Sequence, residues 1–261
     1  MFNKFVSEVV NALGDCEVRD VVKNGVHMTG VVVGSGVVRP TVYLDDFYKE
    51  GLSIPEVVTK IKSLTSSVPE IDVSHIKEWD KVKNDLSAYF MNISNVTDDM
   101  EYYGAAEYGF NDLVIVPCVK FNVGSDKGSA KVNVAMLETW DKDIKEVVQV
   151  ALENIKCDYK IQNIGDIIGL GGCGFDSPLW VVSTNDTTKG AIAIIAAMKE
   201  LKQKFNNGFV CIPSSIHEFL VSPLDSPFAS DMEGLAKIIG DVNNSAVEPI
   251  DQLGSHAYII K

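Results

Sequence analysis

The stretch VHMTGVVVGSGVVRPTVYL, residues 26–44, contains two runs rich in β-branched residues, separated by Gly34, Ser35 and Gly36. Such runs on either side of a glycine-containing turn are typical of paired strands joined by a hairpin loop. A second pair of β-like runs flanks residues 124–128 in the same way. Adjacent strand pairs do not fit a strict alternation of strand and helix, so they favour an α+β fold.

Regular apolar spacing predicts helices before, between and after these strand pairs. Apolar residues recur every three or four positions, as one face of a helix requires, in residues 2–13, 54–64, 76–93, 144–155, 190–205 and 231–242. Ser53 with Glu56, and Ser230 with Glu233, have the spacing of capping boxes. The sequence thus predicts antiparallel or mixed sheets with flanking helices. The glycine-rich stretch 165–178 is the best boundary candidate, which gives two lobes at 1–165 and 166–261.

Composition and charge exclude several classes of protein. The chain has 261 residues, 46% of them apolar, which excludes intrinsic disorder. Its 36 acidic and 23 basic residues give a net charge of −13, so a direct nucleic-acid ligand is not expected because phosphates would be repelled. The longest uncharged apolar runs fall far short of the roughly 20 residues that cross a bilayer. We therefore expect a cytoplasmic protein with no membrane partner.

The cysteines indicate neither a disulfide framework nor a metal site. They are odd in number and widely spaced, and no two are separated by only two residues. The glycine-rich segment 169–174, which contains Cys173, lacks the Gly-Lys-Ser/Thr ending of a phosphate-binding loop and is interpreted as a connector. No cofactor and no metal is expected.

The string Pro213-Ser214-Ser215-Ile216-His217-Glu218 follows an apolar run. We expect this run to form a strand that ends at Pro213. Ser215, His217 and Glu218 are the candidate catalytic residues. Ser214, together with Asn185 to orient a substrate, is a candidate for binding. The alternative is structural, with serines capping a turn and a packed histidine. The Gly-x-Ser-x-Gly elbow and the second zincin histidine are both missing, which argues against familiar hydrolase sites.

Carboxylates also follow the run that ends in Tyr43 and Leu44. Asp45 and Asp46 come directly after it, with Glu50 close enough in sequence to complete a set. Solvated turn acids and a divalent-cation site are both consistent with this pattern.

Several segments together resemble a family of uncharacterised proteins from gut Clostridia and their mobile elements. The similarity covers about residues 20–258 and depends mainly on the Pro213–Glu218 string. The other matching segments are 40–45, 179–190, 242–244 and 256–258. The resemblance implies a shared fold, and it adds Tyr43, Asp45 and Asn243 to Asn185 and Ser214 as candidate binding residues.

The leading hypothesis for function is a non-enzymatic binding protein that acts on a macromolecular partner, with a protein as the expected partner. The resemblance implies a setting in phage or mobile-element biology. Two alternatives stay open. One is an acidic inhibitor that mimics nucleic acid and blocks a nucleic-acid-handling defence enzyme. The other is a hydrolase that uses the Ser215, His217 and Glu218 cluster.

Overall fold

The structure is a computed structural model that describes residues 1–34, 39–66, 74–123, 126–170 and 177–261. In these ranges the α+β prediction is confirmed, since helices accompany three antiparallel sheets. The helices are α1 (Phe2–Leu13), α2 (Leu44–Lys49), α3 (Ile54–Thr65), α4 (Trp79–Val82), α5 (Val134–Trp140), α6 (Ile144–Ile155), α7 (Ile164–Ile167), α8 (Ala193–Lys204) and α9 (Met232–Ser245). The strands are β1 (Cys16–Lys23), β2 (Val26–Val33), β3 (Thr41–Tyr43), β4 (Leu86–Asn92), β5 (Tyr103–Gly104), β6 (Leu113–Val123), β7 (Asp126–Lys131), β8 (Tyr159–Asn163), β9 (Trp180–Thr184), β10 (Phe209–Ser215), β11 (Glu218–Pro223) and β12 (Tyr258–Ile260).

The chain forms two compact units. The first comprises Met1–Val73 with Asn122–Lys127, and the second comprises Ser74–Phe121 with Gly128–Lys261. These bounds differ from the lobes expected at 1–165 and 166–261, and that division stays a prediction. The glycine-rich connector, including Cys173, lies largely outside the described residues.

The first unit packs helices on a three-stranded antiparallel sheet of order β1-β2-β3. Asn24 and Gly25 join β1 to β2 with positive φ angles of 47° and 78°, as a tight hairpin turn requires. Its core includes Val9 of α1, Val31 of β2 and Ile61 of α3, none of which is exposed.

The predicted strand at 37–44 is wrong at its end, because α2 begins at Leu44 and β3 covers only Thr41–Tyr43. Leu44 is the first residue of this helix, and its side chain is fully buried. A buried leucine occurs in helices as well as in strands, so its apolar character does not tell the two apart. Residues 35–38 lie outside the described part of the chain.

The second unit contains the two larger sheets. One has the order β12-β10-β11-β9-β8, and the other has β4-β6-β5 with β7 beside β6. Three fully buried phenylalanines form part of its core: the ring centroid of Phe90 lies 5.3 Å from that of Phe110 and 6.0 Å from that of Phe219.

The helix predicted over 76–93 is wrong for its second half, which is strand β4 paired with β6. Every residue from Leu86 to Met91 is buried, so both faces of the strand are covered. A strand buried on both faces carries a continuous apolar run, which also satisfies helical spacing. The β-like run that follows residue 128 is likewise only partly strand, because β7 ends at Lys131 and α5 begins at Val134 behind the cap Asn133.

Helix caps were predicted correctly in one case and one residue off in the other. Ser53 and Glu56 form the expected capping box of α3. At α9 the cap is Asp231 instead of Ser230, and its carboxylate accepts the Gly234 N–H at 2.8 Å. None of the described helices is long and apolar enough to cross a membrane.

Candidate functional site

The candidate string spans the last three residues of β10, the turn of the β10–β11 hairpin and the first residue of β11. β10 continues beyond Pro213 to Ser215, and the chain turns at Ile216 and His217 before β11 begins at Glu218. Pro213 pairs with Phe219, and the register shifts between Pro213 and Ser215. Proline donates no hydrogen bond, so it interrupts the ladder without ending the strand. The expectation that the strand stops at Pro213 is therefore wrong.

The ring of His217 has a partner at each nitrogen. Nδ1 accepts the backbone N–H of Lys189 at 3.1 Å, and Nε2 lies 3.4 Å from Oδ1 of Asp251. A nitrogen that accepts a hydrogen bond carries no proton, so the neutral ring has its proton on Nε2, facing the carboxylate. The ring is 40% exposed, so it is not packed in an apolar core.

The two serines have partners other than the His217 ring. Ser215 Oγ accepts the backbone N–H of His217 at 3.1 Å, which is a local turn contact. Ser214 Oγ donates to Glu218 Oε1 at 3.3 Å. A nucleophilic serine needs an imidazole nitrogen within hydrogen-bond reach, and both nitrogens here face Lys189 and Asp251. The arrangement favours a role in holding the hairpin, and the catalytic assignment of Ser215, His217 and Glu218 stays a prediction.

The loop that contacts His217 is held by one carboxylate. Asp186 accepts hydrogen bonds from Thr184 Oγ1 at 2.8 Å, Lys120 Nζ at 3.1 Å and the Thr188 N–H at 3.2 Å. Burial raises the pKa of Asp186, but these three hydrogen bonds and the positive charge of Lys120 together outweigh it and hold the pKa below its ordinary value. Asp186 is thus a structural anchor for the turn that leads to Lys189.

Close backbone approach fixes this loop against the hairpin. A Cβ on Gly190 would lie 2.4 Å from Ser183 Oγ and 2.7 Å from both the His217 carbonyl oxygen and the Thr184 nitrogen. Ser183 Oγ donates to the same His217 carbonyl at 2.8 Å. Only glycine fits at this position without a shift of the backbone.

The other candidate binding residues do not form one site. Asn185 is exposed in the turn beside Asp186. Tyr43 and Asp45 belong to the first unit, where Lys23 Nζ lies 4.2 Å from the Tyr43 ring centroid. Asp45 Oδ2 accepts the Thr29 N–H at 2.7 Å, so this carboxylate ties α2 to β2. Within the described residues no group of three or more His, Cys, Asp or Glu side chains could hold a metal ion.

Ser214 and Asn243 do line a common space, which we call the apolar cleft. It lies between α9 and the sheet strands β10 and β11, has a cavity volume of about 140 Å³ and is partly open to solvent. Asn243 Nδ2 donates to the Gly254 carbonyl at 2.9 Å and ties α9 to the C-terminal segment. The cleft is lined by Leu179, Ile212, Pro213, Ser214, Leu220, Phe228, Leu235, Ile238, Ile239, Val242 and Asn243.

Part of the wall of the apolar cleft is exposed to solvent. Phe228, Ile238 and Val242 are 37%, 55% and 43% exposed, although each is large and apolar. Leu235 and Ile239 on the same helix are buried at its base. An exposed apolar patch with a buried floor is typical of an interaction site. Sequence reasoning missed this site. The spacing of apolar residues predicts the apolar face of α9, but it does not show that the rest of the protein leaves part of that face exposed.

Comparison with known proteins gives one match. No curated protein and no solved structure matches the chain. A family model described as a family of unknown function matches residues 2–261. This agrees with the resemblance to an uncharacterised family, and the match covers nearly the whole sequence. The chain therefore belongs to DUF5688, a family of unknown function.

Proposed function

We propose that this protein acts by binding another macromolecule, and that the apolar cleft beside α9 is its binding site. The observation that carries this proposal is the exposure of Phe228, Ile238 and Val242 above a buried apolar floor. Burying such side chains against a partner removes apolar surface from water, which is the main driving force of protein association.

The contacts of His217 also support binding over catalysis. An imidazole that accepts a backbone N–H and faces a carboxylate is used to position the loop at Lys189 and the segment at Asp251. The proposed role of the hairpin is thus to hold one wall of the cleft, where Pro213 and Ser214 lie.

A library of displayed random peptides, selected on the full chain, tests the proposal. Enriched peptides should lose binding to Ile238→Asp, which places a charge in the cleft, and keep binding to Ile93→Asp. Ile93 is the matched control because it is 51% exposed and does not line the cleft.

Three results would overturn the proposal. The first is a selection without enrichment, and the second is enriched peptides that bind both aspartate variants equally. The third is hydrolysis of ester, peptide or phosphodiester substrates that disappears in His217→Ala, which would establish the hydrolase alternative instead.

The charge of the chain supports a second candidate function. With 36 acidic against 23 basic residues, the protein suits an acidic inhibitor that blocks a basic nucleic-acid-handling enzyme. Association with such an enzyme should weaken strongly as salt is raised, and binding unchanged by salt would contradict it. Action in the cytoplasm, within phage or mobile-element biology of gut Clostridia, is the setting proposed for either function.

A further inference from the structure

The chain segment that supplies β11 and α9, which line part of the apolar cleft, is strongly one-sided in charge. Residues 218–251, which include α9 and β11, contain a single basic residue, Lys237. The same segment contains seven acidic residues, namely Glu218, Asp225, Asp231, Glu233, Asp241, Glu248 and Asp251. The described residues that line the cleft itself carry no charge. The cleft is therefore an apolar surface inside an acidic segment.

Three of these acids are near cleft residues, Glu218 by a contact and the other two along the chain. The Glu218 carboxylate is 3.3 Å from Ser214 Oγ, which lines the cleft. Asp225 and Asp231 are exposed and stand three residues before and after Phe228, which forms part of the wall. We call Glu218, Asp225 and Asp231 the acidic rim.

The one lysine of the segment lies away from the cleft. The cleft residues of α9, at positions 235, 238, 239, 242 and 243, follow the spacing of a single helix face. Lys237 is two positions from Leu235, about 200° around the helix, and is exposed on the opposite side. It therefore does not neutralise the acidic rim.

We infer that the partner of the apolar cleft is a cationic amphipathic segment of another protein, with apolar residues for the cleft and Lys or Arg for the acidic rim. This inference rests on the proposed function and names its class of partner. An apolar face that fills a groove, flanked by charges of the opposite sign to the rim, is a common mode of peptide recognition. A second copy of this chain does not fit, because two surfaces of this charge would repel each other, with a net charge of −13 on each copy.

Fluorescence anisotropy with three labelled peptides tests the inference. The peptides are amphipathic, about 18 residues or about five helical turns long, share one leucine pattern, and carry Lys, Gln or Glu at the polar positions. The Lys peptide should bind the full chain about tenfold more tightly than the Gln peptide. Each exposed ion pair with the acidic rim contributes a small binding free energy, and three such pairs together account for about a tenfold difference. The Glu peptide should bind least.

Variants separate the cleft from the acidic rim. Ile238→Asp should abolish binding of the Lys and Gln peptides, while Ile93→Asp should not. The triple change Glu218→Gln, Asp225→Asn and Asp231→Asn should remove most of the preference for the Lys peptide. Its matched control neutralises three exposed acids elsewhere and should keep that preference: Glu50→Gln, Glu107→Gln and Glu138→Gln.

Salt gives an independent readout. Raising NaCl from about 0.1 M to about 1 M shortens the Debye length from about 10 Å to about 3 Å, so the advantage of the Lys peptide should shrink. Circular dichroism of each variant confirms that the fold is retained.

The outcomes distinguish this inference from the proposed function. Equal binding of the Lys and Gln peptides, lost in Ile238→Asp, would overturn the cationic partner and leave the binding site in place. An equal loss of preference in both triple variants would show that only the overall charge matters, which also overturns the inference. Failure of the Lys peptide to bind, or dimerisation of the chain through Ile238, would overturn it as well.

Discussion

Replacing Gly190 by alanine would bring a methyl carbon against one side-chain atom and two backbone atoms of β9 and the β10–β11 hairpin. It would lie 2.4 Å from Ser183 Oγ, 2.7 Å from the His217 carbonyl oxygen and 2.7 Å from the Thr184 nitrogen. Real Cβ contacts essentially never fall below 3.0 Å. Two of the three atoms belong to the backbone of paired strands or their turn, so they have no rotamer to change.

The cost follows from these contacts. Forcing one extra carbon into a tightly packed site destabilises a protein by about 1–3 kcal/mol. If Ser183 Oγ moves aside, its hydrogen bond to the His217 carbonyl, 2.8 Å long, is lost at a net cost of about 1 kcal/mol. Alanine also restricts the conformations of the unfolded chain, which stabilises the folded state by about 0.4–1 kcal/mol. This gain offsets only part of the cost of the close contacts. We expect Gly190→Ala to lower the free energy of unfolding by about 1–3 kcal/mol.

Urea unfolding followed by circular dichroism measures this change. The control is Gly240→Ala, because Gly240 lies within α9 and a Cβ there meets nothing within 4 Å. This substitution should stabilise the protein by about 0.5–1 kcal/mol, as expected when alanine replaces glycine inside a helix. A Ser183→Ala change in the Gly190→Ala background should recover part of the loss, because it removes the nearest of the three atoms.

A particular result would refute the reasoning. If Gly190→Ala unfolds at the same urea concentration as the unchanged protein while Gly240→Ala is stabilised, the loop does not approach the hairpin this closely. The contact between Lys189 and the His217 ring would then lose its structural basis.

Three further predictions concern other parts of the fold. The pKa of Asp186 is below its ordinary value when folded, so its contribution is present above the unfolded pKa and is lost as pH falls through the folded one. In Asp186→Asn, the free energy of unfolding measured by urea titration should therefore fall less as the pH is lowered. A fall as large as in the unchanged protein would contradict this. Asp143→Ala should cost about 1 kcal/mol in urea unfolding, because the Glu146 N–H at the start of α6 loses its 2.8 Å partner; no change would mean that the cap is not formed. In native alkylation read out by peptide mass spectrometry, exposed Cys157 should react well before Cys118, because burial raises the pKa of the Cys118 thiol to about 11. Equal rates at the two thiols would show that Cys118 is accessible.

The local sequence was sufficient for the amphipathic helices. α1, α3 and α6 bury one face each, and their apolar residues repeat at the helical period, so spacing alone locates them. It was insufficient for β4, where Leu86–Met91 are buried on both faces and helical and strand spacing coincide. β11 was missed although its partner β10 is adjacent along the chain; its other partner, β9, is distant in sequence.

The candidate site was predicted only as a set of residue types. Proximity in sequence suggested that Ser215 and His217 act together, and they do contact each other, but through a backbone N–H. The partners of the imidazole, Lys189 and Asp251, are 28 and 34 positions away along the chain, and no local pattern points to them.

The sequence by itself determined the α+β class, the excess of acidic residues and the apolar spacing of α9, because these depend on composition and on neighbours along the chain. Only the tertiary structure decided which apolar residues stay uncovered. Leu235 and Ile238 share one face of α9, yet the first is 5% exposed and the second 55%. The difference arises because packing against the sheet covers one side of that face, and such packing depends on contacts between residues far apart in the chain.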